Sequence, residues 1–250
     1  MKRVAYSLVV TTFNNANTLA ACLRSAAAAD EILLLDSGSS DATVAIAERF
    51  HARVVVEAFK GYGPQKQSAI DQATHDWILL LDADEMLSPE LAAEIELALC
   101  APTATGFSLP RRERMFWRWQ HRWSRHNRFL RLFDRRCHRI GGDPVHAAPG
   151  GAGAVQRLHS VFLHAGEPDI HTKIAKINAY STGLVAHKLG AHPRFLRTRM
   201  VLYPPLIFIK HYVLKRQWLN GWAGFIASVS GAFYTFLKYA KVFEARQKKR

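Results

Sequence analysis

The chain predicts an α/β fold: a Rossmann-like, mostly parallel sheet with flanking helices, followed by a helical, membrane-associating C-terminal segment. Three observations carry this reading. Short apolar runs alternate with helix-forming segments through the first hundred or so residues, a spacing that suits parallel strands joined by right-handed crossovers. One run, Trp77-Ile78-Leu79-Leu80-Leu81, passes directly into Asp82-Ala83-Asp84-Glu85. That is the pattern of a buried strand with acids at its carboxyl end, where open α/β sheets bind ligands. From about residue 170 onward the strand patterns stop and helical ones replace them.

Taken in order, residues 4–10 form a first apolar, β-branched run that ends in Thr11-Thr12-Phe13-Asn14-Asn15. The run is short and leads into a loop, so it reads as a strand and not as a signal peptide. Asn17-Thr18 offers a cap for an alanine-rich helix to about Ala29. Residues 31–35 form a second strand, followed by the turn formers Asp36-Ser37-Gly38-Ser39-Ser40-Asp41. A helix over 42–50 and a strand over 53–56 come next. The basic loop Lys60-Gly61-Tyr62-Gly63-Pro64-Gln65-Lys66 leads into a helix over about 65–73. After the acidic strand end, Ser88-Pro89 starts a helix to about Leu99, with Ser as cap and Pro at the first helical position. Four strand ends thus deliver polar clusters toward one rim. Beyond Ala101 the composition shifts, with strands expected over 106–109, 129–133 and 159–164 and a flexible Gly150-Gly151-Ala152-Gly153. In the last third, residues 173–188 and 195–215 are amphipathic, the second stretch interrupted by Pro204-Pro205. The expected organisation is 1–100 and 101–168 as two halves of one domain, the first carrying the polar strand ends, and 169–250 as a helical region.

At 250 residues the chain can bury a sizeable core. Its net charge of +14 calls for an acidic partner: nucleic acid, an anionic membrane surface or a phosphorylated substrate. The three cysteines are scattered, with no C-x-x-C pair, so neither zinc nor a disulfide framework is expected. Residues 219–237 carry no formal charge, but Asn220, Gly221, Gly224, Ser228, Ser230 and Gly231 dilute the stretch. Helices lying in a membrane interface fit it better than a span, and Trp218, Trp222, Tyr234 and Tyr239 suit an interfacial belt.

Asp82 and Asp84 alternate by two, so on a continuing strand they share one face. A divalent cation carrying phosphate oxygens answers the cost of two adjacent carboxylates. The bland alternative is that they decorate the approach to the helix at Ser88. The segment from Arg111 to Arg139 interleaves cations and aromatics that can grip phosphates, sugars or bases, or simply form a basic surface.

Three motifs in this order resemble the family 2 glycosyltransferases and their GT-A nucleotide-sugar fold: Ser7-Leu8-Val9-Val10-Thr11-Thr12-Phe13-Asn14, then Leu34-Leu35-Asp36-Ser37-Gly38-Ser39-Ser40-Asp41, then Asp82-Ala83-Asp84. A narrower resemblance, on Phe59-Lys60-Gly61-Tyr62-Gly63-Pro64-Gln65-Lys66-Gln67, Leu130-Arg131-Leu132-Phe133, Lys176-Ile177-Asn178-Ala179-Tyr180-Ser181 and the region from Tyr203-Pro204-Pro205 to Tyr239, is to bacterial lipopolysaccharide core glucosyltransferases. The resemblance implies transfer of a sugar, usually glucose from UDP-glucose, to an inner-core acceptor at the cytoplasmic face of the inner membrane, with the enzyme attached peripherally. It implies that Asp84, with Asp82, holds Mg²⁺ or Mn²⁺, Asp82 having the ribose as its alternative. Asp36 and Asp41 would meet the uracil or ribose, Asp41 being equally a helix cap. Thr11, Thr12 and Asn14 would edge the base, and Lys66 would contact the nucleotide, a solvated lysine being the alternative.

An inverting transfer needs a base for the acceptor hydroxyl. The narrower group has Val-His-Glu where this chain has Val145-His146-Ala147. Asp143, His146 and Glu85 are the candidate bases, with Glu167 a more distant one. The basic aromatic segment would meet an anionic, lipid-linked glycan. A family 2 transferase for exopolysaccharide or another lipid carrier is the nearest alternative. A non-catalytic nucleic-acid-binding protein is the remote one, because it leaves the acidic strand ends unexplained.

Overall fold

The computed structural model describes residues 3–141, 148–166, 168–190 and 195–248. The chain divides into two compact units, Met1–Arg112 with Asn127–His164, and Glu113–His126 with Ala165–Arg250. The excursion over 113–126 therefore groups with the C-terminal helices.

The first unit is built on β1 (Tyr6–Thr12), β2 (Glu31–Asp36), β3 (Arg53–Val56) and β4 (Trp77–Asp82), joined through helices α1 (Leu19–Ser25), α2 (Thr43–Arg49) and α3 (Tyr62–Gln72). These four strands are parallel in the order β3-β2-β1-β4. Their apolar residues alternate between two helical layers, as the two-residue period of a strand requires. Leu8, Val10, Leu34, Leu79 and Leu81 join the core under α1 and α4 (Pro89–Cys100), whereas Val9, Leu33, Leu35, Ile78 and Leu80 join Ala69 and Ile70 of α3. Both faces are covered, which is why these strands read as continuous apolar runs. Ser88 caps α4 as expected, its Oγ accepting from the Leu91 N–H at 3.2 Å.

Beyond β4 the sheet turns antiparallel. After β5 (Glu85–Leu87) and α4, β6 (Gly106–Met115) extends well past the expected 106–109. Its far end folds back on the two-residue strand β7 (Arg118–Trp119). Strand β8 (Asn127–Asp134) lies between β4 and β6, antiparallel to both. The segment expected to be a flexible glycine stretch instead gives β10 (Pro149–Gly151), paired with β9 (His138–Ile140). A short β11 (Val155–Arg157) runs beside β6, and β12 (Phe162–His164) pairs antiparallel with β5. The sheet is thus parallel through its first half and mixed in its second, where β4, β8 and β6 are antiparallel neighbours and β11 runs parallel to β6.

The second unit holds α5 (Ile170–Gly190), α6 (Leu196–Ile209) and α7 (Gly221–Gln247), with a π turn over Lys210–Leu214 and a 3₁₀ turn over Gln217–Asn220 between the last two. Pro204-Pro205 does not break α6. Contacts with α7, including Tyr203 against Tyr239 at 5.6 Å between ring centroids, hold the helix through the missing backbone donors. The polar residues that dilute α7 satisfy themselves: Ser228, Ser230 and Thr235 each donate to the carbonyl four residues earlier. Gly224 allows a close backbone approach, since a Cβ there would lie 1.9 Å from the Gln217 carbonyl oxygen. No helix among the described residues is long and apolar enough to cross a membrane.

Candidate functional site

The parallel register brings the predicted polar clusters to one rim of the first unit. Thr12 lies beside Asp36, and Thr11 beside Asp82, across neighbouring strands. Two groups of side chains form there.

The first group joins the loops after β1 and β2. Asn14 has a left-handed φ of 53°; its side-chain oxygen accepts from the Ser40 N–H at 2.8 Å, and its own N–H donates to Ser39 Oγ. Thr12 Oγ1 donates to Asn15 Oδ1 at 2.9 Å. Asp36 is buried, and its Oδ2 accepts the N–H groups of Gly38 and Ser39 at 2.9 and 2.7 Å. That carboxylate organises its own loop, and Gly38 supplies the positive φ of 89° that the loop needs. Asp41 accepts from the N–H groups of Thr43 and Ala16, as a residue securing the start of α2 does. Thr43 chiefly, by hydrogen bonding, holds the exposed Asp41 carboxyl below its usual range.

The second group surrounds the end of β4. The strand stops at Asp82, and Ala83-Asp84 form a turn before β5. Asp82 and Asp84 therefore do not share a strand face, because the strand ends at Asp82 and Asp84 lies in the turn. Each finds different partners. Lys66 on α3 ion-pairs with Asp82 Oδ1 and is buried, so it is not the solvated lysine of the bland reading. Arg131 on β8 donates to Asp82 Oδ2 at 3.0 Å and to Glu85 Oε1 at 2.7 Å. Arg111 reaches the same Glu85 oxygen at 3.3 Å, and the other Glu85 oxygen accepts the Asp82 N–H at 3.0 Å. Burial alone would push the Asp82 carboxyl up, but the Arg131 and Lys66 charges outweigh it and hold it far below the usual carboxylate range. Burial likewise opposes the charge on Arg131, and the Glu85 and Asp82 carboxylates more than restore it.

Asp84 stands apart from this cluster. Its Oδ2 lies 3.3 Å from His164 Nε2, with side chains 33% and 21% exposed. Burial raises the Asp84 carboxyl, the His164 hydrogen bond and charge lower it, and the net effect is downward. His164 is carried there by the antiparallel pairing of β12 with β5, which sets it opposite Glu85. Asp84 and His164 are the two side chains here that could hold a divalent cation, which would supply positive charge at this strand end. The set is small: among the described residues no three His, Cys, Asp or Glu side chains converge on one point. It suits a cation whose remaining ligands are phosphate oxygens and water.

Of the candidate bases, Asp143 and His146 lie outside the described residues, as do Ala147 and Glu167. Glu85 has no exposed surface, and both its oxygens are engaged. Such a carboxylate ties strand ends together and has no path to an acceptor hydroxyl. Several arginines of the basic segment are likewise engaged by protein groups, Arg136 while remaining 65% exposed. Arg128 binds the Ser108 carbonyl at 2.6 Å, Arg135 the Ile70 and Ala73 carbonyls, and Arg136 Asp134. Arg111, Arg131 and His164 are site residues that sequence reasoning did not single out.

The Glycosyl transferase family 2 profile matches residues 7–158, which contain both groups except His164. The chain is 30% identical over 254 residues to the lipopolysaccharide core biosynthesis glycosyltransferase LpsC of Rhizobium meliloti (strain 1021), covering 97% of this chain and 93% of that protein. It is 28% identical to an uncharacterized glycosyltransferase of Rickettsia felis, over 96% and 89% of the two chains. The crystal structure of S. aureus TarS 1-349 aligns with 99% of this chain and 92% of its own length, at 15% identity and a TM-score of 0.48. With the profile spanning more than half of its length and LpsC aligned nearly end to end, the chain belongs to glycosyl transferase family 2.

Proposed function

We propose that the protein is a metal-dependent, inverting transferase that moves a hexose, glucose in the first instance, from a UDP-sugar to an anionic lipid-linked glycan of the lipopolysaccharide inner core, working at the cytoplasmic face of the bacterial inner membrane. Similarity to LpsC over nearly the whole of both chains supports the acceptor class. The Asp84–His164 pair at the carboxyl end of β4 is the observation that carries the donor chemistry.

In this reading Asp84 and His164 hold Mg²⁺ or Mn²⁺. When bound, the cation supplies charge neutralisation of the diphosphate leaving group as the C1–O bond breaks. Asp82 is held by Lys66 and Arg131, which fixes the strand end and leaves its exposed edge for the ribose. The loop network of Thr11, Thr12, Asn14, Asp36 and Asp41 shapes the base end of the pocket. Proton removal from the acceptor falls to Asp143 or His146, with Ala147 where the resembling group has glutamate.

The test is turnover of UDP-glucose by purified protein with truncated lipopolysaccharide as acceptor, with and without Mn²⁺. Turnover should require the metal and vanish in Asp84→Ala. Near-normal turnover in that variant would sink the metal assignment. Transfer to another lipid carrier, with none to lipopolysaccharide, would favour the exopolysaccharide alternative.

A further inference from the structure

The second unit carries apolar surface that its own residues leave uncovered. On α6, Val201, Leu202, Leu206 and Ile209 are exposed, and Val213 continues the row past the end of the helix. On α7, Trp222, Phe225, Val229, Phe233 and Phe236 recur at steps of three or four and are all exposed. The two helices run antiparallel, with Tyr203 against Tyr239 near one end and Tyr212 against Phe225 near the other. Each therefore presents one apolar stripe along the hairpin.

The turn of the hairpin adds tryptophan. Trp218 and Trp222 are 52% and 75% exposed. Asn220, fully buried, ties the 113–126 excursion to this turn. Its side-chain oxygen accepts the His121 N–H at 2.6 Å, and its amide donates to Ser124 Oγ at 3.0 Å. Ser124 Oγ in turn donates to the Arg216 carbonyl. Trp117 and Trp123, 60% and 63% exposed, are thereby held with the turn. Between residues 170 and 243 the sequence contains no Asp or Glu, while Arg197, Arg199, Lys210, Lys215, Arg216 and Lys238 flank the stripes.

Apolar stripes of this extent mark an interaction surface. Acid-free basic flanks select an anionic partner, and exposed tryptophans suit the headgroup layer, where an apolar ring with one polar edge is at home. We propose that the α6–α7 hairpin, with its turn and the 113–126 excursion, lies in the interface of an anionic bilayer, its two stripes immersed on the order of 5–10 Å deep. This names the face that serves the membrane location proposed above, and it stands independently of the sugar chemistry.

Flotation of the full-length protein with vesicles tests it. Wild type should float with phosphatidylcholine–phosphatidylglycerol vesicles, far less with phosphatidylcholine alone, and less at high salt. The double variants Leu206→Ser/Ile209→Ser and Trp222→Ser/Val229→Ser change exposed residues, so both should keep the wild-type melting curve while partitioning at least ~10-fold less. Leu97→Ser, the same change at a 74% exposed leucine of the first unit, should float like wild type. Three results would overturn the proposal: wild type that ignores anionic vesicles, double variants that float normally, or a lipid-free dimer that the double variants convert to monomer, which would make a second copy the occupant. UDP-glucose turnover in the same preparations reports on the transferase reading separately.

Discussion

Replacing Arg131 by methionine tests whether the buried charge cluster fixes the carboxyl ends of β4 and β5. The guanidinium is almost fully enclosed, donates to both Asp82 and Glu85, and lies 5.7 Å from the ring centroids of Phe129 and Phe162. Methionine keeps much of the apolar contact and removes the charge. Glu85 would then retain Arg111 at 3.3 Å, and Asp82 would retain Lys66. Removing one partner of a buried pair costs about 3–5 kcal/mol. The surviving cations and the partial exposure of Asp82 place this case near the lower bound, about 3 kcal/mol. With a urea slope of about 2 kcal/mol per molar, the unfolding midpoint should fall by about 1.5 M at neutral pH. The pH dependence follows from Asp82. Its folded-state pKa is depressed, so its stabilising contribution is present above the unfolded value of about 3.9 and is lost as pH falls. The gap between wild type and variant should therefore be widest near neutrality and should narrow as pH falls below about 4. Adding Glu85→Gln to the variant should restore part of the loss, because it removes the charge that Arg131 was balancing. A midpoint shift below about 0.3 M at neutral pH, or a gap that widens on acidification, would refute the reasoning.

Three further outcomes are expected. His164→Ala should raise the Mn²⁺ concentration needed for half-maximal turnover by about 10–100-fold, the range seen when a metal site loses a supporting group, and an unchanged metal requirement in the same titration would remove His164 from the site. Ala147→Glu should raise turnover or shift its pH profile if the base is deficient in this chain; identical kinetics would direct attention to Asp143 and His146. Lys241→Met should loosen α5 from α7, since the ammonium donates to the Asn178 carbonyl and side chain, Ser181 Oγ and Thr182 Oγ1 at 2.6–2.8 Å. The loss should be about 1.5–3 kcal/mol, read as faster amide exchange in α5 with the first unit unchanged.

The parallel half of the sheet was legible in the sequence because each of its signals is local. Residues 53–56 read as a strand from their β-branched run, and Ser88-Pro89 announced a helix start through capping chemistry alone. What escaped was set by long-range pairing. Phe129-Leu130-Arg131-Leu132-Phe133 alternates, yet both its faces are covered, Phe129 and Leu132 packing in one core and Leu130 and Phe133 in the other. Nothing within five residues says that Arg131 will face Asp82 and Glu85, although buried acids at a strand end do demand a cation from somewhere. His164 is harder still, since its place opposite Glu85 depends on β12 returning to pair with β5. The shared face expected of Asp82 and Asp84 failed for a local reason: the strand ends at the first acid and turns at the second. The Lys176-Ile177-Asn178-Ala179-Tyr180-Ser181 motif acquires a structural use, because Asn178 and Ser181 hold Lys241.

The divergence of the two aspartates bears on how the site would handle charge. The end of β4 gathers three carboxylates, Asp82, Asp84 and Glu85, where a diphosphate is proposed to bind. Left alone they would repel it. Lys66, Arg111 and Arg131 are directed at Asp82 and Glu85, so those two acids are balanced by fixed cations before any ligand arrives. Asp84 is met instead by His164 at 3.3 Å, a partner that, unlike lysine or arginine, is a cation only when protonated. The fixed cations therefore preserve the fold of the strand end, and the acid they leave aside is the one with an imidazole nitrogen beside it. On the proposed reading this arrangement makes donor binding conditional on a divalent cation: without it, the diphosphate meets the Asp84 charge, and with it, the same charge becomes the means of attachment.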